Sequence, residues 1–138
     1  FPEPQVPGLS FSFSGVKTSI LYFLREKTRQ APDFITNNLN DICASVQARI
    51  VSILMKKLRL AAQQTGVREI AIAGGVSANS GLRSGLAQLG EQEGWNTYIP
   101  RFEFCTDNAA MIALTGYLHF QRGERSELDL NPAASTAP

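Results

Sequence analysis

The sequence predicts a single α/β domain, because short segments with strand character alternate along the chain with longer segments of helical periodicity. The chain has 138 residues, 43% of them apolar and 18% charged, and one domain typically has roughly 100–200 residues. The formal net charge is +1, so charge alone does not predict binding to nucleic acid. No apolar run approaches the roughly 18 residues of a membrane-spanning helix, and Cys43 and Cys105 lie too far apart in sequence for a CxxC pair. We therefore expect a soluble, cytoplasmic protein without membrane contact.

The first half of the chain contains one predicted strand and two predicted helices. Alternating apolar residues and serines at residues 9–13 are typical of a half-buried strand. Apolar residues then recur at helical spacing over residues 16–30. After a polar connection, every fourth residue from 42 to 58 is apolar, which predicts a long helix that starts at Asp41 and ends near Gly66.

The second half of the chain repeats the alternation of strand and helix. The aliphatic segment 69–73 predicts a buried strand, and the aromatic and β-branched residues of segment 95–99 predict another. Between these segments we expect a helix that is capped by Ser77 or Asn79 and runs to about Gly90.

A last helix is predicted after residues 105–108, with Thr106, Asp107 or Asn108 as its cap. Its large apolar side chains are expected to pack inward: Met111, Ile112, Leu114, Tyr117, Leu118 and Phe120. Beyond Gly123 the chain becomes polar and ends in a segment of alanine, serine, threonine and proline. We expect residues 1–122 to form the folded lobe and residues 123–138 to be a disordered tail.

The first candidate binding segment is the glycine-rich junction that follows the predicted strand 69–73. Ligands of α/β proteins bind beyond the carboxyl ends of strands. Gly74 and Gly75 let the backbone approach a ligand closely, and Asn79 offers both a donor and an acceptor. A tight turn with an ordinary helix cap explains the same residues, and both interpretations stay open.

The second candidate segment precedes the last helix and contains Asp107. Its carboxylate is a candidate oxygen ligand for a catalytic metal or for magnesium carrying a phosphate. An aspartate in this position is more often an N-cap, which contributes about 0.5–2 kcal/mol. Cys105 is expected to be a small buried side chain.

Two other polar residues are interpreted without a binding role. Residues 11–18 contain Gly15, Lys17 and Thr18 but lack the GxxxxGK[ST] spacing of a phosphate loop, so Lys17 is expected on a solvated helix face. His119 is the single histidine. It lies near a helix carboxyl terminus, where the dipole favours a cation, and a structural role is expected.

Three motifs together resemble the TsaD family in order and spacing. They are FSFSGVKT at residues 11–18, AGGVSAN at 73–79 and FCTDN at 104–108, which AAMIA follows. The similarity covers residues 1–122, and the family was formerly called glycoprotease or O-sialoglycoprotein endopeptidase. It implies the C-terminal lobe of an actin-like ATPase fold (ASKHA, ribonuclease H-like).

The resemblance also implies a function and a set of site residues. Members of this family transfer a threonylcarbamoyl group from threonylcarbamoyl-AMP to the adenosine beside the anticodon of tRNA. By this resemblance Asp107 matches the metal-ligand aspartate, Asn79 matches an asparagine that binds the substrate, and Gly74 and Gly75 pack against that substrate. One divalent metal, iron or zinc, is implied for each complete subunit, and ATP is a further candidate ligand.

The sequence departs from the family in one large respect. Family members carry an upstream lobe with a His-x-x-x-His motif that supplies two metal ligands, whereas His119 is the one histidine here. We therefore expect the chain to be inactive without an N-terminal lobe. Expected partners are that lobe, tRNA and, in a bacterium, TsaB and TsaE. Two alternatives stay open: a non-catalytic TsaD-like dimerisation partner, and the metalloendopeptidase of the older family name, for which the chain offers no His-Glu-x-x-His motif.

Overall fold

The computed structural model describes residues 1–3, 6–127 and 129. Its α-helices are α1 (Phe13–Gln30), α2 (Phe34–Asn37), α3 (Leu39–Thr65), α4 (Ser80–Glu93) and α5 (Ala109–Gln121). Its strands are β1 (Glu69–Ala71) and β2 (Asn96–Tyr98), and short 3-10 turns span Gly75–Ala78 and Phe102–Phe104. The described part of the chain is thus a mixed α/β structure in which helices predominate, as the alternating pattern predicted.

The two strands are parallel neighbours that α4 connects. Ile70 lies opposite Thr97 in the register. Both strands are confirmed, although each is shorter than its predicted segment. Because parallel strands end at the same edge of a sheet, this β-α-β unit directs the glycine-rich turn after β1 and the loop after β2 toward one edge.

The core lies between α3, α4 and the strand pair. Leu86 of α4 is fully buried, and it packs with Ala62 of α3 and Ile70 of β1. Gly90 lets α4 approach β2, since a Cβ at this position would lie 2.4 Å from the Cγ2 atom of Thr97. The long helix α3 ends as predicted, with Gly66 in the left-handed conformation at φ 72°.

The predicted strand at residues 9–13 is wrong. Helix α1 already begins at Phe13, and the ring of this residue stacks on Phe11 with centroids 5.5 Å apart. No strand pairs with this segment among the residues that the structure describes. Instead, the Lys57 ammonium donates to the backbone carbonyls of Val6 and Gly8 and holds the entry segment on α3. Side-chain donors here replace the hydrogen bonds of a strand ladder.

Inward packing of the last helix is also wrong. None of the residues of α5 is buried, and Ile112 and Leu114 keep 65% and 62% of their surface exposed. This helix contains no Asp, Glu, Lys or Arg, so it has no polar face to turn outward, and such a helix needs neighbours on every side. The described residues do not provide them.

Two further features bear on the predictions. Helix α2 lies in the segment that was interpreted as a polar connection. Most of the predicted tail, residues 128 and 130–138, lies outside the described residues, so its disorder stays a prediction. Within the described ranges, no helix is both long enough and apolar enough to cross a membrane.

Candidate functional site

The turn after β1 is closed by hydrogen bonds from Ser77 to Gly74. The carbonyl oxygen of Gly74 accepts from the Ser77 amide at 3.0 Å and from its hydroxyl at 2.7 Å. Ser77 is 1% exposed, so this link is shielded from water. Gly74 has φ 78°, a conformation that only glycine adopts without strain.

Gly75 differs from Gly74 in its backbone conformation. Its φ is not positive, and a Cβ built on it would have no heavy atom within 4 Å. Neither its backbone conformation nor the packing of the described residues therefore requires glycine here. The space above the turn is open, which is the arrangement expected where a ligand approaches the backbone.

Asn79 caps helix α4, so the structural alternative for this residue is confirmed. Its Oδ1 atom accepts from the Leu82 amide at 2.9 Å, and its Nδ2 atom donates to Oε1 of Gln47 at 3.1 Å. A side-chain amide has a second lone pair and a second N–H. Asn79 thus keeps capacity for one further donor and one further acceptor, and its role in substrate binding stays a prediction.

Asp107 is not the cap of α5. The Oδ1 atom of its neighbour Asn108 accepts from the backbone amide of Met111 at 2.9 Å, and the Nδ2 atom of Asn108 donates to the Thr106 carbonyl at 3.0 Å. Asp107 is exposed, and within residues 1–3, 6–127 and 129 its carboxylate has neither a hydrogen bond nor an ion pair. Capping therefore does not explain this carboxylate, which is available to a ligand.

Arg83 is a residue of the site that the sequence analysis missed. Its Nη1 atom donates to the Ser77 carbonyl at 3.1 Å and lies 3.9 Å from the Sγ atom of Cys105. The guanidinium carbon lies 4.3 Å from the ring centroid of Phe102. Arg83 thus contacts both candidate segments from α4. One signal was present: this arginine follows close after the N-terminus of a helix, where the dipole disfavours a cation.

Cys105 anchors the second segment in the protein interior. It is 2% exposed, its thiol donates to the Arg101 carbonyl at 3.5 Å, and its amide donates to the Phe102 carbonyl at 3.2 Å. Its prediction as a small buried side chain is confirmed. Cys105 and Cys43 are both free thiols.

Asp107 is the candidate metal ligand of this site. In the described part of the chain, no three His, Cys, Asp or Glu side chains are grouped as metal ligands. The free carboxylate of Asp107 has the hard oxygen donors that suit a divalent cation, so this residue fits as one ligand of a shared site. His119 lies in the last turn of α5, at the opposite end of the helix from Asp107, and its Nδ1 atom contacts Glu124.

The clearest electrostatic perturbation belongs to the strand pair. The Glu69 carboxylate accepts from the Tyr98 hydroxyl and from the Asn96 amide, each at 2.6 Å. These two hydrogen bonds, the one from Tyr98 first, hold the pKa of Glu69 below its usual value. The same contact raises the pKa of Tyr98. Glu69 begins β1, at the end remote from the glycine-rich turn, so these groups stabilise the strand register.

The turn after β1 is glycine-rich, and the loop after β2 carries a carboxylate that is unpaired among the described residues. In α/β proteins, ligands bind at this edge of a parallel sheet. The TsaD family profile, described as tRNA N6-adenosine threonylcarbamoyltransferase, matches residues 1–114. The chain belongs to this family, as the three motifs predicted.

Curated relatives agree with the family match. A tRNA N6-adenosine threonylcarbamoyltransferase of Cytophaga hutchinsonii is 54% identical over 132 residues, which are 96% of this chain and 38% of that protein. A protein of the same name from Riemerella anatipestifer is 50% identical over 97% of this chain and 39% of its own length. A third, from Christiangramia forsetii, is 53% identical over 85% and 34%. The chain therefore spans less than two fifths of the length of these relatives.

Proposed function

We propose that this chain is the C-terminal, substrate-binding lobe of a tRNA N6-adenosine threonylcarbamoyltransferase. The observation that carries the proposal is the combination of 54% identity over 96% of the chain with a relative of that name and a site carboxylate that capping does not explain. The remaining part of the site comes from protein outside this chain, since the chain spans 38% of that relative.

In the proposed reaction, the exocyclic amine of adenosine attacks the carbonyl carbon of threonylcarbamoyl-AMP. A carbon–nitrogen bond forms, the bond between this carbon and the phosphate oxygen breaks, and AMP leaves with the bonding electron pair. The attacking nitrogen loses a proton to water or to a base. Charge develops on the carbonyl oxygen and on the leaving phosphate, so groups that stabilise negative charge accelerate the step.

The residues of this chain bind and orient the acyl donor. The open backbone at Gly74 and Gly75 packs against the nucleotide part of threonylcarbamoyl-AMP, and Asn79 uses its remaining donor and acceptor to hold a polar group of it. Asp107 supplies one carboxylate ligand to a divalent metal, iron or zinc. When bound, such a metal supplies Lewis-acid stabilisation of negative charge. ATP as a ligand, and TsaB and TsaE as partners, stay predictions of the resemblance.

The experiment uses the full-length protein that contains this chain, with threonylcarbamoyl-AMP and unmodified tRNA. The modified nucleoside is quantified by mass spectrometry after digestion of the tRNA. The wild type should form the modified nucleoside. Asp107→Ala should form it at a rate at least about 100-fold lower while its stability barely changes, as expected when a ligand of a catalytic ion is removed.

Asp33→Ala is the matched control. Asp33 is also exposed, and it makes no cap hydrogen bond at the start of α2, so its removal should leave the rate unchanged. Full activity of Asp107→Ala would contradict the role of Asp107. Failure of the wild type to modify tRNA, with all partners supplied, would contradict the proposed function and favour a non-catalytic binding partner.

A further inference from the structure

We propose that Arg83 is a positioning residue that fixes the loop at residues 101–107, and with it Asp107, against the turn Gly74–Asn79. The catalytic consequence rests on the proposed function, whereas the anchoring of the loop does not. The structure assigns Arg83 this role through three contacts, with a backbone carbonyl, a thiol and an aromatic ring.

The contacts of Arg83 lie on both segments at once. Its Nη1 atom reaches the carbonyl of Ser77 at 3.1 Å, and Ser77 itself closes the turn through Gly74. The guanidinium group also lies over the Phe102 ring, with 4.3 Å between Cζ and the ring centroid. Residues 74–79 and 102–105 are therefore joined through one side chain.

The positive charge of Arg83 is compensated by these contacts. No carboxylate pairs with it among the described residues, so its charge is balanced by the carbonyl dipole of Ser77 and by the face of Phe102. An arginine over an aromatic face is attracted by the negative charge density of the ring. Lysine has the charge but lacks the planar group that can donate along its edge while stacking on its face.

The burial of Cys105 restricts the backbone freedom of Asp107. Asp107 lies two residues after Cys105, which is 2% exposed, and one residue before Asn108, which caps α5. Two fixed neighbours leave the intervening backbone little freedom. Arg83 stabilises the first of these fixed points, so its loss should loosen the loop and displace the Asp107 carboxylate while the turn and α4 remain folded.

The anchoring is measured by alkylation of Cys105 with iodoacetamide in the full-length protein, followed peptide by peptide by mass spectrometry. Cys43, which is exposed, provides the internal reference for reagent reactivity. Arg83→Met should raise the Cys105 rate by roughly 10-fold, because alkylation of a buried thiol follows the population of the open loop. Arg83→Lys should give a smaller increase.

Two variants separate anchoring from general destabilisation. Phe102→Ala removes the ring that Arg83 contacts. Because Phe102 is 64% exposed, the substitution should barely change the free energy of unfolding. It should nevertheless raise the Cys105 rate. Arg59→Met removes an arginine that pairs with Glu93 at 2.8 Å and makes no hydrogen bond or ion pair with either segment among the described residues. This variant should leave the Cys105 rate unchanged.

Steady-state kinetics tests the catalytic consequence. Arg83→Met should lower kcat by roughly 10-fold and change KM for threonylcarbamoyl-AMP by less than about threefold, since a displaced metal ligand affects the transition state more than ground-state binding. An unchanged Cys105 rate in both Arg83→Met and Phe102→Ala overturns the proposal. An inactive wild type in which these variants still expose Cys105 overturns the proposed function and supports the anchoring. Unaltered kcat in an Arg83→Met enzyme overturns the positioning role.

Discussion

The side-chain oxygen of Asn108 accepts a hydrogen bond from the backbone amide of Met111 at 2.9 Å. This bond caps α5 and leaves the adjacent Asp107 outside the cap. The two neighbours therefore differ, since Asn108 stabilises the helix start and the Asp107 carboxylate has no partner among the described residues. The proposed binding of a metal by Asp107 requires this division of roles.

Asn108→Ala should destabilise the first turn of α5 by about 1 kcal/mol, the usual cost of losing a side-chain cap. Hydrogen exchange at the Met111 amide should become about fivefold faster. Asp107→Ala should leave that exchange rate unchanged. Faster exchange in Asp107→Ala than in Asn108→Ala would show that the cap has been assigned to the wrong residue.

Asn79 can be tested by separating its cap from its free amide. Asn79→Ala should lower the free energy of unfolding by about 0.5–2 kcal/mol, because the Leu82 amide loses its acceptor. Asn79→Ser retains a capping oxygen and should recover most of this stability in urea unfolding. If Asn79 also binds threonylcarbamoyl-AMP, both variants should raise the dissociation constant. An Asn79→Ser variant that binds threonylcarbamoyl-AMP as tightly as wild type would show that Asn79 only caps the helix.

The Glu69 carboxylate should respond to removal of the Tyr98 hydroxyl. Because the pKa of Glu69 is lowered in the folded protein, first by Tyr98 and then by Asn96, its contribution to stability is present above its unfolded pKa. That contribution is lost as the pH falls through the folded pKa.

Tyr98→Phe should raise the pKa of Glu69 toward the value of 4.5 for an unperturbed glutamate. Stability should then depend less on pH in the acid range. Carboxyl NMR titration measures this change. Tyr22→Phe serves as the control, since Tyr22 is 63% exposed and makes no hydrogen bond to Glu69 among the described residues. A Glu69 pKa that is equal in Tyr98→Phe and wild type would exclude the hydrogen bond as its cause.

Two helical glycines should respond oppositely to alanine. A Cβ at Gly90 would lie 2.4 Å from the Cγ2 atom of Thr97, so Gly90→Ala should destabilise the protein by about 1–3 kcal/mol. Gly116 of α5 has no such neighbour within 4 Å, so Gly116→Ala should stabilise its helix by about 0.5–1 kcal/mol. Urea unfolding measures the first change and helical circular dichroism the second. The same sign in both would contradict the packing of α4 on β2.

Local signals in the sequence predicted most of the fold. Gly66 ended the long helix where its left-handed conformation was expected, and the aliphatic segment at Ile70 formed a strand with a parallel partner. The strand predicted at residues 9–13 was wrong because the alternation of Phe11 and Phe13 with serines is equally compatible with an irregular entry segment that Lys57 holds on α3. For α5 the composition was interpreted correctly as apolar, but burial depends on neighbours that local sequence does not specify.

The site was predicted less completely than the fold. Gly74, Gly75, Asn79 and Asp107 were predicted because strand-to-helix junctions and carboxylates are recognisable in a sequence, and their binding roles stay predictions. The contact of Arg83 with Ser77 and Cys105 was not predicted, since Cys105 is 22 residues away along the chain and no spacing rule connects the two residues. Gln47, which accepts from the Asn79 amide across 32 residues, was missed for the same reason.

The most direct test of the central claim is the metal content of the full-length protein, measured by mass spectrometry of the purified wild type and of Asp107→Asn. Because the Asp107 carboxylate has no hydrogen bond or ion pair among the described residues, we predict that the variant folds with an unchanged unfolding midpoint and loses most of its bound metal, whereas Asp33→Asn keeps it. An Asp107→Asn protein with the full metal content of wild type would contradict the account.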